Sequence, residues 1–319
     1  MADQSVPEVT TAPLTTKLAA TGGSAAESEK TTSASGPATT GRMDPTITEE
    51  ELEFLAKLRK AIPEDDARHV PDLMENPSRL VKFARARNHH LEKSVTMIHK
   101  TAKFRRKREN HDILTKFKPK INDDFKTVLL FPIQYLYDSD GGLILYHRTG
   151  PFAGSYFCKY YTDEYLIDLV TYCLEVLTTD AMKHLQKTGA APYITFVLDM
   201  QGYGSHTLGP MGITQTLINV FQNHFPETMK RAVVVNCPWL FRVVWKVVQA
   251  FLDPVVKSKI SVLGHKGVVE KLHEFADDDN IPVWLGGAFS ADGDPYSPSV
   301  YAQGGMPPKP DIPKGEKIE

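Results

Sequence analysis

The sequence predicts an α/β protein in which a mostly parallel sheet with flanking helices follows a small all-helical N-terminal lobe. Apolar residues first recur at helical spacing, and from about residue 118 strand-like and helix-like runs alternate along the chain. Both ends of the chain, in contrast, have compositions that disfavour a packed core. We therefore expect a helical lobe over residues 46–112 and an α/β domain over residues 118–289.

The two ends of the chain predict tails rather than folded elements. Residues 1–42 consist largely of Ala, Thr, Ser and Gly and contain no aromatic residue, so they cannot bury enough apolar surface to offset the entropy of ordering. Residues 292–319 are dense in Pro, Gly and Lys, which is typical of an extended segment. We expect a disordered N-terminal tail and a Pro-rich C-terminal tail.

The composition is that of an ordinary globular protein of 319 residues, with 41% hydrophobic and 24% charged residues and a net charge of -2. This charge gives no bulk attraction for nucleic acid or an anionic membrane, so we expect no nucleic-acid partner and only local membrane contact. The three cysteines, Cys158, Cys173 and Cys237, are far apart in the sequence and odd in number. This pattern predicts that they form no disulfide framework and that the protein resides in a reducing cytoplasm. The sequence has neither a signal-peptide pattern nor an apolar run of about 18 residues, which predicts a protein that is neither secreted nor membrane-spanning.

Three helices are expected in the N-terminal lobe. Thr48 and Glu51 form a capping box, and apolar residues at helical spacing follow it. Ser78 is placed to cap a short helix over 79–87, and a longer helix runs from Leu91 toward Arg108.

The α/β domain begins with short strand-like runs at 128–130, 135–137 and 143–146, and a turn at 138–142 predicts that the last two form a hairpin. A helix with Leu166 and Leu177 on its apolar stripe follows. The remaining elements alternate between strand and helix, which indicates parallel strands joined by crossovers. They are a strand at 193–199 that is buried on both sides, a helix at 213–221, a strand at 232–236, a helix at 239–252, a strand at 260–263 and a helix at 268–275.

The helix at 239–252 has an unusual distribution of polar residues. It is apolar around most of its circumference, and its polar side chains form one narrow stripe of Arg242, Lys246 and Gln249 that continues to Asp253. One interpretation is a helix enclosed between the sheet and a neighbouring helix. The other is that one apolar flank lines a ligand cavity while a second flank touches a bilayer, with Arg242 and Lys246 near lipid headgroups.

Several short motifs occur in a fixed order along the chain. They are Phe225-Pro226-Glu227, Asn236-Cys237-Pro238-Trp239, Phe251-Leu252-Asp253-Pro254 and Ser258-Lys259-Ile260. The helical motif at 81–87, the hairpin at 138–144 and Leu285-Gly286-Gly287 flank them. Together these motifs resemble the CRAL-TRIO domain family over about residues 47–287.

The resemblance implies a CRAL-TRIO lipid-binding fold, with a deep apolar pocket in the α/β lobe, a helical lobe that braces it, and a gate helix that moves at the membrane. The gate helix corresponds to residues 239–252. We expect six residues of the gate helix to line the pocket: Trp239, Phe241, Val244, Trp245, Val248 and Phe251.

The resemblance also implies a headgroup site. In phosphatidylinositol-binding members it contains an arginine, a glutamate, a hydroxyl residue and a lysine, and the positions in this chain are Arg87, Glu227, Val256 and Lys259. Cations suit a phosphate, and a carboxylate accepts hydrogen bonds from inositol hydroxyls. Val256 lacks the hydroxyl, and the loss costs about 1.5 to 3 kcal/mol unless Ser258 or Lys257 replaces it. The alternative for Arg87, Glu227 and Lys259 is a structural ion-pair cluster that joins the helical lobe to the sheet.

We expect a non-enzymatic monomer without a cofactor that binds a single phospholipid, phosphatidylinositol being favoured, and transfers or presents it. Its localisation is expected to be cytoplasmic, with peripheral and transient contact with a membrane surface. Ile194 and Phe196 stand where phosphatidylcholine-binding relatives have small hydroxyl residues, so that signature is absent. The alternatives are a carrier of a retinoid, tocopherol, sterol or haem, and a docking module for a small GTPase or kinase.

Other candidate chemistry is weak. The segment 202–206 lacks the pattern of a nucleophile elbow, so we expect a loop and no catalytic residue. His89 and His90 lack partners at metal-ligand spacing, which predicts exposed or capping histidines and no metal site. The basic run at 103–108 is interpreted as a solvated helix end rather than a phosphate contact.

Overall fold

The computed structural model describes residues 42–109, 112–119, 135–150, 154–290 and Lys317. The N-terminal lobe within these residues is helical, as predicted. Its helices are α1 (Glu49–Ala61), α2 (Glu64–Ala67), α3 (Pro71–Glu75), α4 (Pro77–Arg85), α5 (Leu91–Arg108) and α6 (Ile113–Lys116). The expected strand at 128–130 lies outside the described residues, as do nearly all residues of the two expected tails.

The helix caps explain where the first helices begin. The capping box is confirmed, because the Glu51 amide donates to the Thr48 hydroxyl at 3.2 Å and the Thr48 amide donates to the Glu51 carboxylate at 3.2 Å. The predicted cap of α4 was wrong. Asn76 accepts from the Ser78 amide at 2.9 Å, so the helix starts at Pro77 and ends at Arg85, and Arg87 follows its last turn.

The sheet formed by the described residues has the strand order β1-β2-β3-β4-β5. The strands are β1 (Leu136–Tyr137), β2 (Leu143–Arg148), β3 (Ile194–Asp199), β4 (Met229–Val235) and β5 (Ile260–Val262). β1 and β2 form the predicted antiparallel hairpin, and β2 through β5 pair in parallel. The mostly parallel sheet is therefore confirmed.

The helices of the α/β domain are α7 (Gly154–Tyr160), α8 (Asp163–Thr188), α9 (Met211–His224), α10 (Trp239–Val248), α11 (Pro254–Ser258) and α12 (Val268–His273). The helix expected at 239–252 is shorter than predicted. It is α-helical to Val248 and then tightens into a 3-10 turn at Gln249–Phe251 before Asp253 caps α11.

Both faces of the sheet are covered, which explains why its strands are almost continuously apolar. On one face Leu145 and Phe196 pack with residues of α8 and α9. On the other face Val197 and Val233 pack with Leu272 of α12 and with residues 281–285. The prediction that the strand at 193–199 is buried on both sides is confirmed.

Buried ion pairs join the N-terminal lobe to α8. The Asp72 carboxylate on α3 lies 2.6 Å from the Arg79 guanidinium and also forms an ion pair with Arg105. The Glu175 carboxylate on α8 lies 2.5 Å from the Arg79 guanidinium. Burial alone would raise the pKa of Asp72, but Arg105 and Arg79 outweigh it and lower the pKa to about 2. The basic run at 103–108 is therefore more than a solvated helix end, since its central arginine is part of this network.

Replacing Asp72 with alanine is expected to lower the free energy of unfolding by about 3 kcal/mol, because the buried Arg79 and Arg105 would then share the single carboxylate of Glu175. Asp65→Ala removes the exposed partner of Arg106 on the same helical lobe and is expected to cost no more than about 0.5 kcal/mol. Urea unfolding of both variants measures the difference. Equal midpoints for the two variants would contradict the role of the network.

The network also predicts how stability depends on pH. His224 stacks on Phe104 with 4.1 Å between ring centroids, and burial together with the charge of Arg105 lowers the pKa of His224 to about 4. A histidine that is neutral in the folded state stabilises it fully above pH 6.5, and this contribution is lost as the pH falls toward 4. The loss amounts to about 3 kcal/mol. His224→Gln should remove that part of the pH dependence, as measured by unfolding wild type and variant across this range.

Candidate functional site

Two of the expected headgroup residues form an ion pair. Glu227 lies in the turn between α9 and β4, and Lys259 lies between α11 and β5, the strand beside β4. The Lys259 Nζ atom is 2.6 Å from the Glu227 carboxylate and 3.4 Å from the carbonyl oxygen of Met229. Both side chains keep about a fifth to a quarter of their surface exposed, at 21% for Glu227 and 24% for Lys259, so the pair is accessible from solvent.

Arg87 is not part of this ion pair. It follows the end of α4 and is half-buried, and among the described residues its hydrogen bond goes to the carbonyl of Ala86 at 2.7 Å. The proposed three-residue ion-pair cluster is therefore a pair within the described part of the chain. A guanidinium has five donor hydrogens, so Arg87 retains most of its capacity to bind an anion.

Lys82 is a charged residue that the sequence reasoning missed. Its side chain is only 3% exposed, its Nζ donates to the carbonyl of Pro192 at 2.8 Å, and it lies 5.1 Å from the centre of the Tyr193 ring. Burial lowers the pKa of Lys82 to about 7, although the charges of Asp44 and Glu227 oppose this. Glu227 thus interacts electrostatically with two lysines. The signal in the sequence was a single lysine inside the apolar run 80–84.

Val256 extends the apolar surface where the resemblance expected a hydroxyl group. It is half-buried and packs with Ile260 against the cluster that covers one face of the sheet. The hydroxyl of Ser258 donates to the carbonyl of Val255 at 2.7 Å, within the same short helix. The expected substitute is thus hydrogen-bonded to its own helix.

The inner flank of α10 packs against the sheet. Phe241 and Trp245 stack with 6.2 Å between ring centroids, and they contact a cluster that contains Met200, Val234, Leu198, Ile260 and Val262. Phe241 is buried, whereas Val244, Trp245, Val248 and Phe251 are half-buried. This flank is the one that the prediction assigned to a pocket.

The outer side of α10 is apolar and exposed. Trp239 is 75% exposed, Val243 is 55% exposed and Val247 is 45% exposed, and Arg242 and Lys246 are exposed as well. Trp239 was expected to line the pocket, but it lies on the solvent side of the helix. We call Trp239, Arg242, Val243, Lys246 and Val247 the outer face of α10.

The sheet face beneath α10 is only partly buried. Leu198 belongs to the central strand β3 and points to the face that α8, α9 and α10 cover, yet it is only half-buried. Ile260, Val262 and Trp245 around it are also half-buried. Side chains at the centre of a covered sheet are normally buried, so these partly exposed side chains form an apolar surface that a ligand can contact.

A family model for the CRAL/TRIO domain matches residues 129–287 of this chain. The chain belongs to the CRAL-TRIO domain family. CRAL-TRIO proteins are in general lipid-binding and lipid-transfer proteins rather than enzymes. The predicted family and fold are therefore confirmed.

Two CRAL-TRIO relatives show how far the likeness extends. The protein real-time of Aedes aegypti is 28% identical over 276 residues, which cover 83% of this chain and 40% of that protein. The phosphatidylinositol/phosphatidylcholine transfer protein SFH12 of Arabidopsis thaliana is 26% identical over 251 residues, which cover 75% of this chain and 44% of that protein. The chain thus spans less than half the length of these relatives.

The CRAL-TRIO fold is also shared with a solved structure. The crystal structure of Sfh5 matches with a TM-score of 0.54 at 17% sequence identity, and the match covers 72% of this chain and 85% of that one. At this identity the likeness concerns the fold alone.

The other sequence candidates take local structural roles in this CRAL-TRIO protein. His89 lies 2.8 Å from the Glu51 carboxylate, and His90 caps α5. Residues 205–207 form a 3-10 turn in the expected loop. Among the described residues, no group of three metal-ligating side chains is assembled, and no helix is long and apolar enough to cross a membrane.

Proposed function

We propose that this chain binds one lipid molecule between α10 and the sheet and transfers or presents it between membranes, with phosphatidylinositol as the favoured ligand. The observation that carries the proposal is the two-sided character of α10. Its inner flank meets a partly exposed apolar surface around Leu198, and its outer face exposes Trp239, Val243 and Val247 beside two cations. A helix with these two sides can contact a bilayer and a bound acyl chain at the same time.

The energetics of exchange support this role. An acyl chain gains about 0.8 kcal/mol for each methylene that leaves water, so a bound lipid does not escape into solvent. Movement from a bilayer to an apolar pocket exchanges one apolar environment for another and is nearly balanced. Exchange therefore takes place where the outer face of α10 meets the membrane, and this contact is peripheral and transient.

The outer face of α10 suits a membrane interface. An exposed tryptophan is favoured at a membrane interface, where one end of its ring contacts apolar acyl chains and the other end contacts water. Val243 and Val247 supply apolar area, and Arg242 and Lys246 lie along the same side of the helix, where lipid phosphates would be met. No bulk charge is needed for this contact.

Headgroup selectivity is assigned to Arg87, Glu227 and Lys259. Lys259 and Arg87 would bind the phosphate, and Glu227 would accept hydrogen bonds from inositol hydroxyls. Val256 weakens the site by about 1.5 to 3 kcal/mol relative to a hydroxyl residue. The printed name of SFH12 describes a phosphatidylinositol/phosphatidylcholine transfer protein, which supports phosphatidylinositol as the first ligand to test.

The test is native mass spectrometry with lipid extraction on full-length protein purified from a eukaryotic host without detergent. We expect about one phosphatidylinositol per monomeric chain. Another bound hydrophobe, such as a retinoid, tocopherol, sterol or haem, would contradict the headgroup assignment and indicate a carrier of that molecule. A chain that stays empty after incubation with mixed liposomes would contradict the carrier function and favour a docking module for a small GTPase or kinase.

A further inference from the structure

The ion pair of Glu227 and Lys259 raises a question about the lipid-bound state. Their atoms are 2.6 Å apart, so Lys259 must leave or loosen this contact before it can bind a lipid phosphate. Glu227 is largely covered, and a covered carboxylate that loses its partner is strongly disfavoured. A second cation that stabilises Glu227 would remove this penalty.

Lys82 is such a cation. The Glu227 carboxylate acts on the Lys82 ammonium through space, and Lys82 lines a small cavity together with the neighbours of Glu227 in the same turn, Phe225, Pro226 and Thr228. The cavity volume of about 20 Å³ admits a single water molecule. The ammonium has three donor hydrogens, and the hydrogen bond to Pro192 uses one of them.

We infer that Lys82 is the positioning residue that neutralises Glu227 when Lys259 moves to the lipid phosphate. This inference rests on the proposed function and deepens it, because it assigns the regulation of the same headgroup site. In the empty protein Lys259 pairs with Glu227. In the loaded protein Lys259 binds the phosphate while Lys82 remains behind Glu227, whose carboxylate is then free to accept inositol hydroxyls.

The charge of Lys82 in this arrangement depends on its surroundings. Burial and the neighbouring cations disfavour its charged form, and the carboxylates favour it, which places the pKa of Lys82 at about 7. Above this pH the ammonium loses its proton, Glu227 loses its second counter-ion, and Lys259 stays paired. The groups that act on Lys82 are Arg79 and Arg85 of its own helix, Asp44, Tyr193 and Glu227. The other titratable or charged residues that line the same cavity are Asp72, Arg105, Glu175 and His224.

The experiment measures transfer of phosphatidylinositol between vesicles of phosphatidylcholine, so that phosphatidylinositol is the only lipid with a net charge. Full-length wild type, Lys82→Met, Lys82→Arg and the exposed control Lys103→Met are compared at about pH 6 and about pH 8.5. We expect wild type and the control to slow by about tenfold at the higher pH, Lys82→Met to be slow at both, and Lys82→Arg to be independent of pH. Thermal unfolding checks that each variant is folded.

A Lys82→Met variant that transfers phosphatidylinositol at the wild-type rate with the wild-type pH profile would overturn the role of Lys82 and leave the carrier function intact. If Lys82→Arg does not fold, the loss of pH dependence in Lys82→Met decides the matter. Failure of wild type to carry phosphatidylinositol at either pH would overturn this inference together with the headgroup assignment.

Discussion

Val247→Asp is expected to abolish lipid exchange at membranes. Val247 is 45% exposed on the outer face of α10, and a carboxylate there would have to be buried in the interface or would repel anionic headgroups. The fold should be unaffected because the side chain has no place in a core cluster. Vesicle-to-vesicle transfer and vesicle co-sedimentation measure the effect, and we expect a loss of at least about 100-fold in the transfer rate.

The matched control is Val283→Asp. Val283 is 48% exposed, so the same change is made at a similar exposure, but the residue lies in the segment after α12 and not on α10. Transfer by this variant should match wild type. Wild-type transfer by Val247→Asp would show that the outer face of α10 is not the membrane-contacting surface.

Lys259→Ala is expected to lose phosphatidylinositol transfer while the fold is kept. The variant removes a cation from the phosphate site, and a charge-assisted hydrogen bond of this kind contributes about 2 kcal/mol, or about 30-fold in affinity. Glu227 is 21% exposed and still interacts with the Lys82 ammonium, so the folded state tolerates the loss of Lys259. Binding of labelled phosphatidylinositol and thermal unfolding measure the two effects separately.

Lys266→Ala provides the comparison for this variant, because Lys266 is an exposed lysine on the loop that follows β5. It should bind phosphatidylinositol as wild type does. Should Lys259→Ala do the same, Lys259 would be excluded from the headgroup site. Loss of all bound lipid, including phosphatidylcholine, would instead indicate damage to the apolar pocket.

Features that depend on short stretches of sequence were predictable. The strand β3 was recognised because a largely apolar, β-rich run requires cover on both faces, and the capping box of α1 is encoded within Thr48–Glu51. The apolar circumference of α10 was also visible, since the spacing of its polar residues is a local property. Which side of the helix meets the sheet was not, and so Trp239 was assigned to the wrong side.

Features that depend on distant partners could not be predicted. Arg105 looked like part of a solvated basic run because its partner Asp72 lies 33 residues earlier in the sequence. Lys82 looked like one more helical lysine, and its burial depends on Pro192, which is 110 residues away. Helical periodicity shows which faces are apolar, but it does not show which charged side chain is buried when two lobes pack together.

The backbone at Glu227 reveals what this position costs the protein. Its φ angle of 50° lies in the left-handed region, which glycine and asparagine adopt readily and which is unfavourable for glutamate. Asn236, with a φ angle of 54°, has a side chain suited to that conformation, whereas Glu227 carries a penalty of about 1 kcal/mol or more that a glycine would avoid. This penalty supports the proposed role of Glu227 in the headgroup site, because a site residue is needed for its carboxylate even where the backbone conformation is unfavourable for it.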